Sequence, residues 1–268
     1  MKRFAVIGDP IAHSLSSTLH GEIYRQLDIK AEYKKIRVKD DSIHLFMNSN
    51  HLNGFNVTLP HKQSIIPFLE ELDDAAQIIG AVNCIHKSKG FNTDWIGFAK
   101  AMEINCIDLN EKKCVILGAG GAARAVAYAL IQAKVQSITV VNRTIEKASQ
   151  FTKWIREISS IKASQLEQLN TSQHHQIIIN CTPIGMWPDI ESIPKIKIHK
   201  GQIIADTIYN PLETKWLKKG KKSNIKTVSG LDMFIAQGLA SADIWFGEKI
   251  SEKIKMEPIK MALKSKLC

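Results

Sequence analysis

Hydrophobic and polar residues alternate with strand-like and helix-like periods along the first hundred residues of the chain. Leu19, Ile23 and Leu27 recur at helical spacing, and residues 73–79 predict a second helix that ends at Gly80. Short apolar runs around these helices predict strands at residues 4–8, 32–38, 55–59 and 81–86. Strands that alternate with helices are typical of an α/β layer structure with a largely parallel sheet.

The same alternation resumes after a polar connector, residues 105–113, where we expect a domain boundary. Beyond the connector, the pattern predicts strands at residues 114–117, 137–141, 176–180 and 202–206. It predicts helices at residues 121–134, 145–158, 231–246 and 251–267. The second part of the chain is therefore expected to be another α/β layer structure.

The apolar run at residues 114–117 breaks into glycines and then becomes alanine-rich, which gives the spacing Gly118-x-Gly120-x-x-Ala123. In a dinucleotide-binding turn of this form, the first glycine allows the turn and the second lets the backbone approach a pyrophosphate. The third small residue lets helix and strand pack closely. The helix then offers unpaired N–H groups and the positive end of its dipole to phosphates. A tight turn without a ligand also uses glycines, but the strand before and the helix after favour nucleotide binding.

The end of the next predicted strand decides which dinucleotide is accepted, because an acidic residue there would hydrogen-bond the ribose hydroxyls of NAD. Here residues 137–141 are followed by Asn142, Arg143 and Thr144, so an arginine stands about where the acid is expected. Its planar fork suits a 2′-phosphate, and Lys147 adds a second positive charge one turn later. The pattern favours NADP over NAD as the cofactor.

The formal net charge of +10 brings nucleic acid into consideration, but the excess is mostly lysine scattered along the chain. The dense run from Lys215 to Lys222 has no nucleic-acid-binding motif beside it, so we interpret it as a solvated helix face and expect no nucleic-acid partner. The five cysteines show no C-x-x-C pair and the nine histidines no ligand spacing, which predicts free thiols and no metal.

No apolar run approaches the ~18 residues of a membrane span. The first residues, Met1-Lys-Arg, lead straight into a predicted strand rather than a signal peptide. We therefore expect a cytoplasmic protein that does not enter a membrane.

Three polar clusters lie at predicted strand ends or in loops, where binding residues are often carried. The first holds Ser14 and Ser16, whose hydroxyls suit a polyol or a carboxylate, although Ser16 and Ser17 suit helix caps equally. The others are NVTLPHK, which ends in Lys62 after a strand-terminating proline, and GFNTD, which ends in Asp94 and follows AVN. Spacing alone leaves each cluster open between turn chemistry and ligand binding.

Together these segments resemble the shikimate dehydrogenase family along nearly the whole chain, in the family's order and at its approximate spacing. The matching segments are GDPIAHSLS, NVTLPHK, GAVN, NTD, GAGGAAR, NRT, NCTPIG, Asp206 followed by Tyr209-x-Pro211, and GLDMFIAQ. The resemblance implies reversible reduction of 3-dehydroshikimate to shikimate with NADPH, in the pathway to chorismate and the aromatic amino acids.

The resemblance also implies the fold: two α/β domains with a cleft between them. A discontinuous substrate domain would comprise residues 1–104 and the C-terminal helices from about 238 to 268. A Rossmann-type NADP-binding domain would comprise residues 105–237. Domain closure on binding would accompany such an arrangement, and the protein would act as a monomer or homodimer.

The resemblance assigns roles residue by residue. The substrate-binding positions are matched by Ser14 and Ser16, at the carboxylate, and by Thr58, Asn83, Tyr209 and Gln237. The cofactor-binding positions are matched by Gly118, Gly120, Gly121, Ala122, Asn142, Arg143, Thr144, Lys147, Thr182 and Gly230. Lys62 and Asp94 match the catalytic pair.

Hydride addition to a ketone leaves an oxyanion that needs a proton, so a lysine beside an aspartate suits this role. Which of the two transfers the proton is left open.

The chain departs from the usual family pattern without losing any residue assigned to the chemistry. Ser17 replaces a proline, Cys84 a threonine, Trp95 a small residue, and Lys147 an arginine. The surroundings of GLDM are altered at Ser229 and Asp232. Because lysine lacks the guanidinium fork, the change at Lys147 favours a lower cofactor affinity.

Two alternative functions stay open. One is the quinate/shikimate dehydrogenase branch, which also accepts quinate and often uses NAD; the two serines and Arg143 favour shikimate and NADP instead. The other is a binding protein that has kept the ligand site for regulation. Such a protein should tolerate loss of the acid–base residues, yet Lys62 and Asp94 are both present.

Overall fold

The computed structural model describes residues 1–166 and 174–267, and it divides into two compact units. The first unit joins Met1–Ile96 to Ile235–Lys266, and the second spans Gly97–Phe234 and takes in Leu267. The changes of unit after Ile96 and after Phe234 fall inside helices, α4 (Asp94–Ile104) and α8 (Gly230–Phe246). The boundaries expected from the sequence, 104/105 and 237/238, lie at the end of α4 and one turn further along α8.

The first unit contains a mixed sheet with the strand order β2-β1-β3-β5-β6-β4. Its strands are β1 (Lys2–Gly8), β2 (Ala31–Arg37), β3 (Gly54–Val57), β4 (Glu71–Leu72), β5 (Cys84–His86) and β6 (Lys89–Phe91). Its helices are α1 (Ser16–Gln26), α2 (Ile43–Ser49), α3 (Asp74–Ile79), the start of α4, most of α8, and α9 (Met256–Lys264), with 3-10 turns at Asp40–Ser42, Ile66–Phe68 and Ile250–Lys253.

The expected parallel arrangement holds for β1, β2 and β3, but β5 runs antiparallel to both β3 and β6. A hairpin with a two-residue turn joins β5 to β6, and its turn residues, Lys87 and Ser88, have positive φ of 50° and 61°. Such turns usually contain glycine or asparagine, so this one carries no sequence signal. The reversal has a consequence for the site: the carboxyl ends of β3 and β6 point the same way.

The second unit contains a fully parallel sheet with the strand order β12-β11-β10-β7-β8-β9. Its strands are β7 (Lys113–Leu117), β8 (Ser137–Val141), β9 (Lys162–Leu166), β10 (Ile177–Asn180), β11 (Ile203–Asp206) and β12 (Lys226–Val228). Its own helices are α5 (Gly121–Gln132), α6 (Ile145–Ile158) and α7 (Lys215–Lys222). The strand order reverses between β7 and β10, and ligands of open parallel sheets bind outside the carboxyl ends at such a point.

The single helix predicted over residues 251–267 is wrong. The chain instead forms the 3-10 turn Ile250–Lys253 and then α9, with an extended break at Ile254 and Lys255. Pro258 explains the break, because its ring would clash with the carbonyl four residues earlier in a continuous helix but is tolerated in the first turn of α9.

Among the described residues, no helix combines the length and the apolar character that crossing a membrane requires.

Candidate active site

A lysine and an aspartate meet at the carboxyl ends of β3 and β6. Lys62 lies in the turn after β3, where its carbonyl accepts a hydrogen bond from Val82 N at 2.7 Å. Asp94 is the first residue of α4. Lys62 Nζ donates to Asp94 Oδ2 at 2.5 Å, and the two side chains are 15% and 9% exposed. The ion pair is thus largely shielded from water, which strengthens its influence on any polar group beside it.

Asn83, just before β5, links this pair to helix α8. Its Nδ2 lies 2.9 Å from Asp94 Oδ1 and 3.3 Å from Gln237 Oε1. Its Oδ1 accepts a hydrogen bond from Thr93 N at 2.6 Å. Four of the side chains predicted for the site, at positions 62, 83, 94 and 237, therefore form one cluster within the first unit.

The two serines lie together in the loop that leads from β1 to α1. Ser14 Oγ donates to Ser16 Oγ at 3.1 Å, and Ser16, the first residue of α1, is buried. Thr58 follows β3 and packs its methyl group over Gly8 at the end of β1, where a Cβ would lie 2.6 Å from it. The serine loop and Thr58 thus start from neighbouring strand ends. Within the described residues, no side-chain hydrogen bond joins the serines to the Lys62 cluster.

The glycine turn between β7 and α5 is built as its sequence predicts. Gly118 has a φ of +105°, and a Cβ there would lie 3.1 Å from Cys181 O, so the fold itself requires glycine. Gly120, which precedes α5, has an ordinary φ of −94°, and a Cβ there would meet nothing within 4 Å. No protein contact explains this second glycine, whereas a pyrophosphate over it would. Gly121 and Ala122 open α5, where helical N–H groups lack partners within the helix.

The residues expected at the 2′-phosphate lie between β8 and α6. Asn142 Nδ2 donates to Thr144 O at 2.9 Å, which holds the turn, and Thr144 precedes the first residue of α6. Arg143 and Lys147 are exposed, and within the described residues neither forms an ion pair. Their positive charges are therefore accessible to an anion at this end of the strand.

Three other predicted residues lie near the carboxyl ends of β10 and β11. Thr182 Oγ1 donates to Asn180 Oδ1 at 2.6 Å, and its methyl group lies against Gly118. Tyr209 stacks on Phe234, with ring centroids 4.1 Å apart. Gly230 donates to Ile208 O at 3.1 Å, and a Cβ there would lie 2.5 Å from Thr207 O, so close backbone packing requires this glycine.

A buried aspartate braces the same edge of the second sheet. Asp206 accepts hydrogen bonds from Thr214 Oγ1 at 2.9 Å, Asn180 Nδ2 at 3.2 Å and Ile208 N at 3.1 Å. Burial raises the pKa of Asp206 from 3.8 to about 7, although these three hydrogen bonds oppose the shift. The sequence motif contained Asp206, but nothing in the sequence indicated that its carboxyl group would be buried.

The sequence did not predict three residues that hydrogen-bond within the cluster around Lys62, Asn83 and Asp94: Asn56, Thr93 and Ser241. Asn56 and Thr93 stand inside the recognised segments NVTLPHK and NTD, where no role was assigned to them. Ser241 lies four residues after Gln237 on α8, so the helical spacing alone would have placed it on the same face.

Four cysteines lie in the part of the chain that the structure describes. Cys84, Cys106, Cys114 and Cys181 are free thiols, and burial raises the pKa of Cys84 and Cys114 to about 12. In the part of the chain that the structure describes, no three His, Cys, Asp or Glu residues are grouped to hold a metal ion.

Comparison with known proteins identifies similar proteins that cover nearly the whole chain. Residues 6–85 match the family profile described as shikimate dehydrogenase substrate binding domain, and residues 100–185 match shikimate / quinate 5-dehydrogenase. A shikimate dehydrogenase (NADP(+)) of Bacillus cereus strain AH187 is 39% identical over 255 residues, which cover 91% of this chain and 92% of that protein.

Two solved structures have the same fold. A shikimate dehydrogenase in complex with NADP+ is 37% identical, with a TM-score of 0.92 over 100% of this chain and 96% of that one. The shikimate 5-dehydrogenase from Thermus thermophilus, in complex with NADP(H) and shikimate, is 30% identical, with a TM-score of 0.85 over 100% of both chains.

Proposed function

The chain belongs to the shikimate dehydrogenase family, and we propose that it interconverts 3-dehydroshikimate and shikimate with NADP, using Lys62 and Asp94 as its acid–base pair. The observation that carries the proposal is the shielded ion pair between these two side chains, 2.5 Å apart at the carboxyl ends of β3 and β6. It supplies a positive charge and a transferable proton in one place, which is what reduction of a ketone requires.

Lys62 is the proton donor in the reduction. Asp94 accepts hydrogen bonds at both carboxylate oxygens, from Lys62 at Oδ2 and from Asn83 at Oδ1. An ionised carboxylate accepts only, so this arrangement fits an ionised Asp94 and a protonated Lys62. As hydride reaches the carbonyl carbon, the C=O electron pair moves to oxygen, and that oxygen takes a proton from the Lys62 ammonium group. In the reverse direction, the neutral Lys62 amine accepts the hydroxyl proton.

The cofactor half of the proposal rests on the turn and on the strand end beside it. NADPH, when bound, supplies the hydride. The open space over Gly120 and the N–H groups of Gly121 and Ala122 in the first turn of α5 suit the pyrophosphate, while Arg143 and Lys147 suit the 2′-phosphate. We assign Asn142, Thr144, Thr182 and Gly230 to the same cofactor site on the basis of the family motifs.

The remaining polar residues orient the substrate. We assign Ser14 and Ser16, whose hydroxyls lie 3.1 Å apart, to its carboxylate on the basis of the family motifs. On the basis of the family motifs, we assign Thr58, Asn83 and Gln237 to the ring hydroxyls of the substrate, and we assign Tyr209 to the family position near substrate and nicotinamide. Asn83 supports this assignment because its amide already touches both Asp94 and Gln237.

The proposal also covers the setting of the enzyme. A cytoplasmic location fits the four free thiols, since unpaired cysteines are usual where thiols are kept reduced. Action as a monomer or homodimer, and substrate and cofactor domains divided at 104/105 and 237/238, remain predictions from the sequence.

A spectrophotometric assay tests the function: purified protein is given shikimate or quinate with NADP+ or NAD+, and reduced cofactor is followed. Shikimate with NADP+ should be the best pair. Quinate with NAD+ as the best pair would place the protein in the quinate/shikimate branch. No turnover with any pair, together with tight binding of shikimate in calorimetry, would instead support a non-catalytic binding protein.

A further inference from the structure

Ser241 is a polar residue in the middle of the largely apolar helix α8, and its side chain is fully buried. Its hydroxyl donates to Gln237 O, one turn back, at 3.0 Å. A buried helical serine can be satisfied by such a bond alone. Here Asn56 Nδ2 also donates to Ser241 Oγ at 2.9 Å, and the Thr93 hydroxyl lies 3.1 Å from it. The hydroxyl thus ties α8 to two strand-end residues far away in the sequence.

The amide of Asn56 is fixed at every polar position. Its Oδ1 accepts a hydrogen bond from the Tyr33 hydroxyl at 2.7 Å. Its Nδ2 donates to Asn83 O at 3.0 Å and to Ser241 Oγ at 2.9 Å. Asn56 therefore holds the backbone of Asn83 in place, and Ser241 fixes which way the Asn56 amide faces.

Thr93 fixes the side chain of Asn83 in turn. Thr93 N donates to Asn83 Oδ1 at 2.6 Å, and Asn83 Nδ2 donates to Thr93 Oγ1 at 2.9 Å. These two bonds decide which end of the Asn83 amide faces Asp94, where Nδ2 reaches Oδ1 at 2.9 Å. The Ser241 hydroxyl is thus connected to Asp94 through Thr93 and Asn83.

We propose that Ser241 is a positioning residue: its hydroxyl sets the orientation of Asn83, and through Asn83 that of Asp94, for binding and turnover of shikimate. Ser241 acts through its neighbours and does not touch the reacting atoms. The kinetic test of this inference rests on the proposed function. The hydrogen bonds that connect Ser241 through Thr93 to Asn83 and Asp94 do not depend on the substrate. An enzyme loses turnover rate and substrate affinity when the hydrogen bonds that hold its active-site side chains in place are removed.

The test compares Ser241→Ala with Ser241→Thr, which keeps the hydroxyl. The matched control is Ser251→Ala, because Ser251 also hydrogen-bonds a residue of α8, Asp243, at 2.6 Å but has no link to Asn83. At saturating NADP+, Ser241→Ala should lower kcat/KM for shikimate about 10- to 100-fold, partly through KM, and leave the Kd for NADP+ unchanged. Ser241→Thr should recover most of the loss, and Ser251→Ala should show none.

A second measurement needs no turnover. In 15N-labelled protein, the side-chain amide resonances of Asn83 should move in Ser241→Ala and stay in place in Ser251→Ala. This readout distinguishes failure of the inference from failure of the proposed function. If Ser241→Ala does not fold, Tyr33→Phe, which removes the hydroxyl at the other end of Asn56, should produce a smaller change in the same direction. A KM for shikimate and an Asn83 signal both at wild-type values in the folded variant would overturn the proposal.

Discussion

Asn83 donates from Nδ2 to Asp94 Oδ1 at 2.9 Å, so the carboxylate oxygen that does not face Lys62 is also occupied. Asp94 therefore lies between two donors, with no room for a proton of its own at either contact. The chemistry of the pair depends on this arrangement, because it leaves the transferable proton on the lysine.

Asp94→Asn replaces one acceptor oxygen by an NH2 group. That NH2 group must face either Lys62 or Asn83, and since both of these are donors, one hydrogen bond is lost. We expect kcat for shikimate oxidation to fall about 100-fold or more, because the proton-transferring group loses its partner. Steady-state kinetics at saturating cofactor measure the change. Asp108→Asn, at an exposed aspartate, is the control and should keep wild-type turnover. Turnover within a few-fold of wild type in Asp94→Asn would show that the carboxylate is dispensable.

The two glycines of the turn should fail in different ways. Gly118→Ala introduces a Cβ at a φ of +105° and close to Cys181 O, so it should lower the free energy of unfolding by roughly 1–3 kcal/mol. Gly120→Ala meets no protein atom, so it should keep the wild-type melting temperature and still weaken NADPH binding. Differential scanning calorimetry and fluorescence titration with NADPH separate the two effects. Unchanged NADPH affinity in Gly120→Ala would remove the pyrophosphate from this position.

Arg143→Ala should weaken binding of NADPH far more than binding of NADH. A guanidinium–phosphate contact contributes about 1.5–3 kcal/mol, which corresponds to roughly a 10- to 100-fold rise in Kd for NADPH alone. Calorimetric titration with each cofactor measures the difference. Arg156→Ala, at another exposed arginine of the second unit, is the control. An equal effect of Arg143→Ala on both cofactors would contradict the 2′-phosphate assignment.

Asp206 makes stability depend on pH in an unusual direction. Its folded-state pKa is raised to about 7 from 3.8 by burial, so the folded protein holds a proton that the unfolded chain has lost. The contribution of Asp206 to the free energy of unfolding is therefore fully present at low pH. It falls by about 1.4 kcal/mol per pH unit as the pH rises toward 7.

Asp206→Asn removes this dependence while keeping the shape of the neutral acid. The unfolding free energy of the variant minus that of the wild type should therefore rise between about pH 5 and about pH 7. Urea unfolding at several pH values measures it. His20, whose pKa burial lowers to about 3, contributes with the opposite sign, but it is common to both proteins and cancels in the difference. Parallel curves for the two proteins would show that Asp206 is ionised throughout.

Much of the fold could be predicted from periodicity alone. Strand β8 and helix α6 have the bounds that the sequence predicted, 137–141 and 145–158, because each has a clear period and a clear stop. Strand β6 was not predicted, because its hairpin turn at Lys87 and Ser88 has positive φ without the usual residues. Edge strand β9 was also missed, since its residues pack on one side only and carry little apolar signal.

The sequence motifs predicted those residues of the candidate site that lie within them. The resemblance to the shikimate dehydrogenase family is confirmed by relatives that cover nearly the whole chain. What the motifs did not contain is the pairing of Ser241 with Asn56, 185 residues apart. Such a contact depends on how α8 packs on the strand ends, and no local pattern encodes it.

The role of Lys62 is tested most directly by Lys62→Ala, measured as kcat for shikimate oxidation beside the Kd for NADPH. Lys100→Ala, which removes an exposed lysine of α4 paired with Glu103, is the control. We expect kcat to fall by about two to four orders of magnitude in Lys62→Ala, with an unchanged Kd for NADPH, because the proton donor is lost and the cofactor site is intact. Near-normal turnover in this variant would exclude the lysine from the proton transfer.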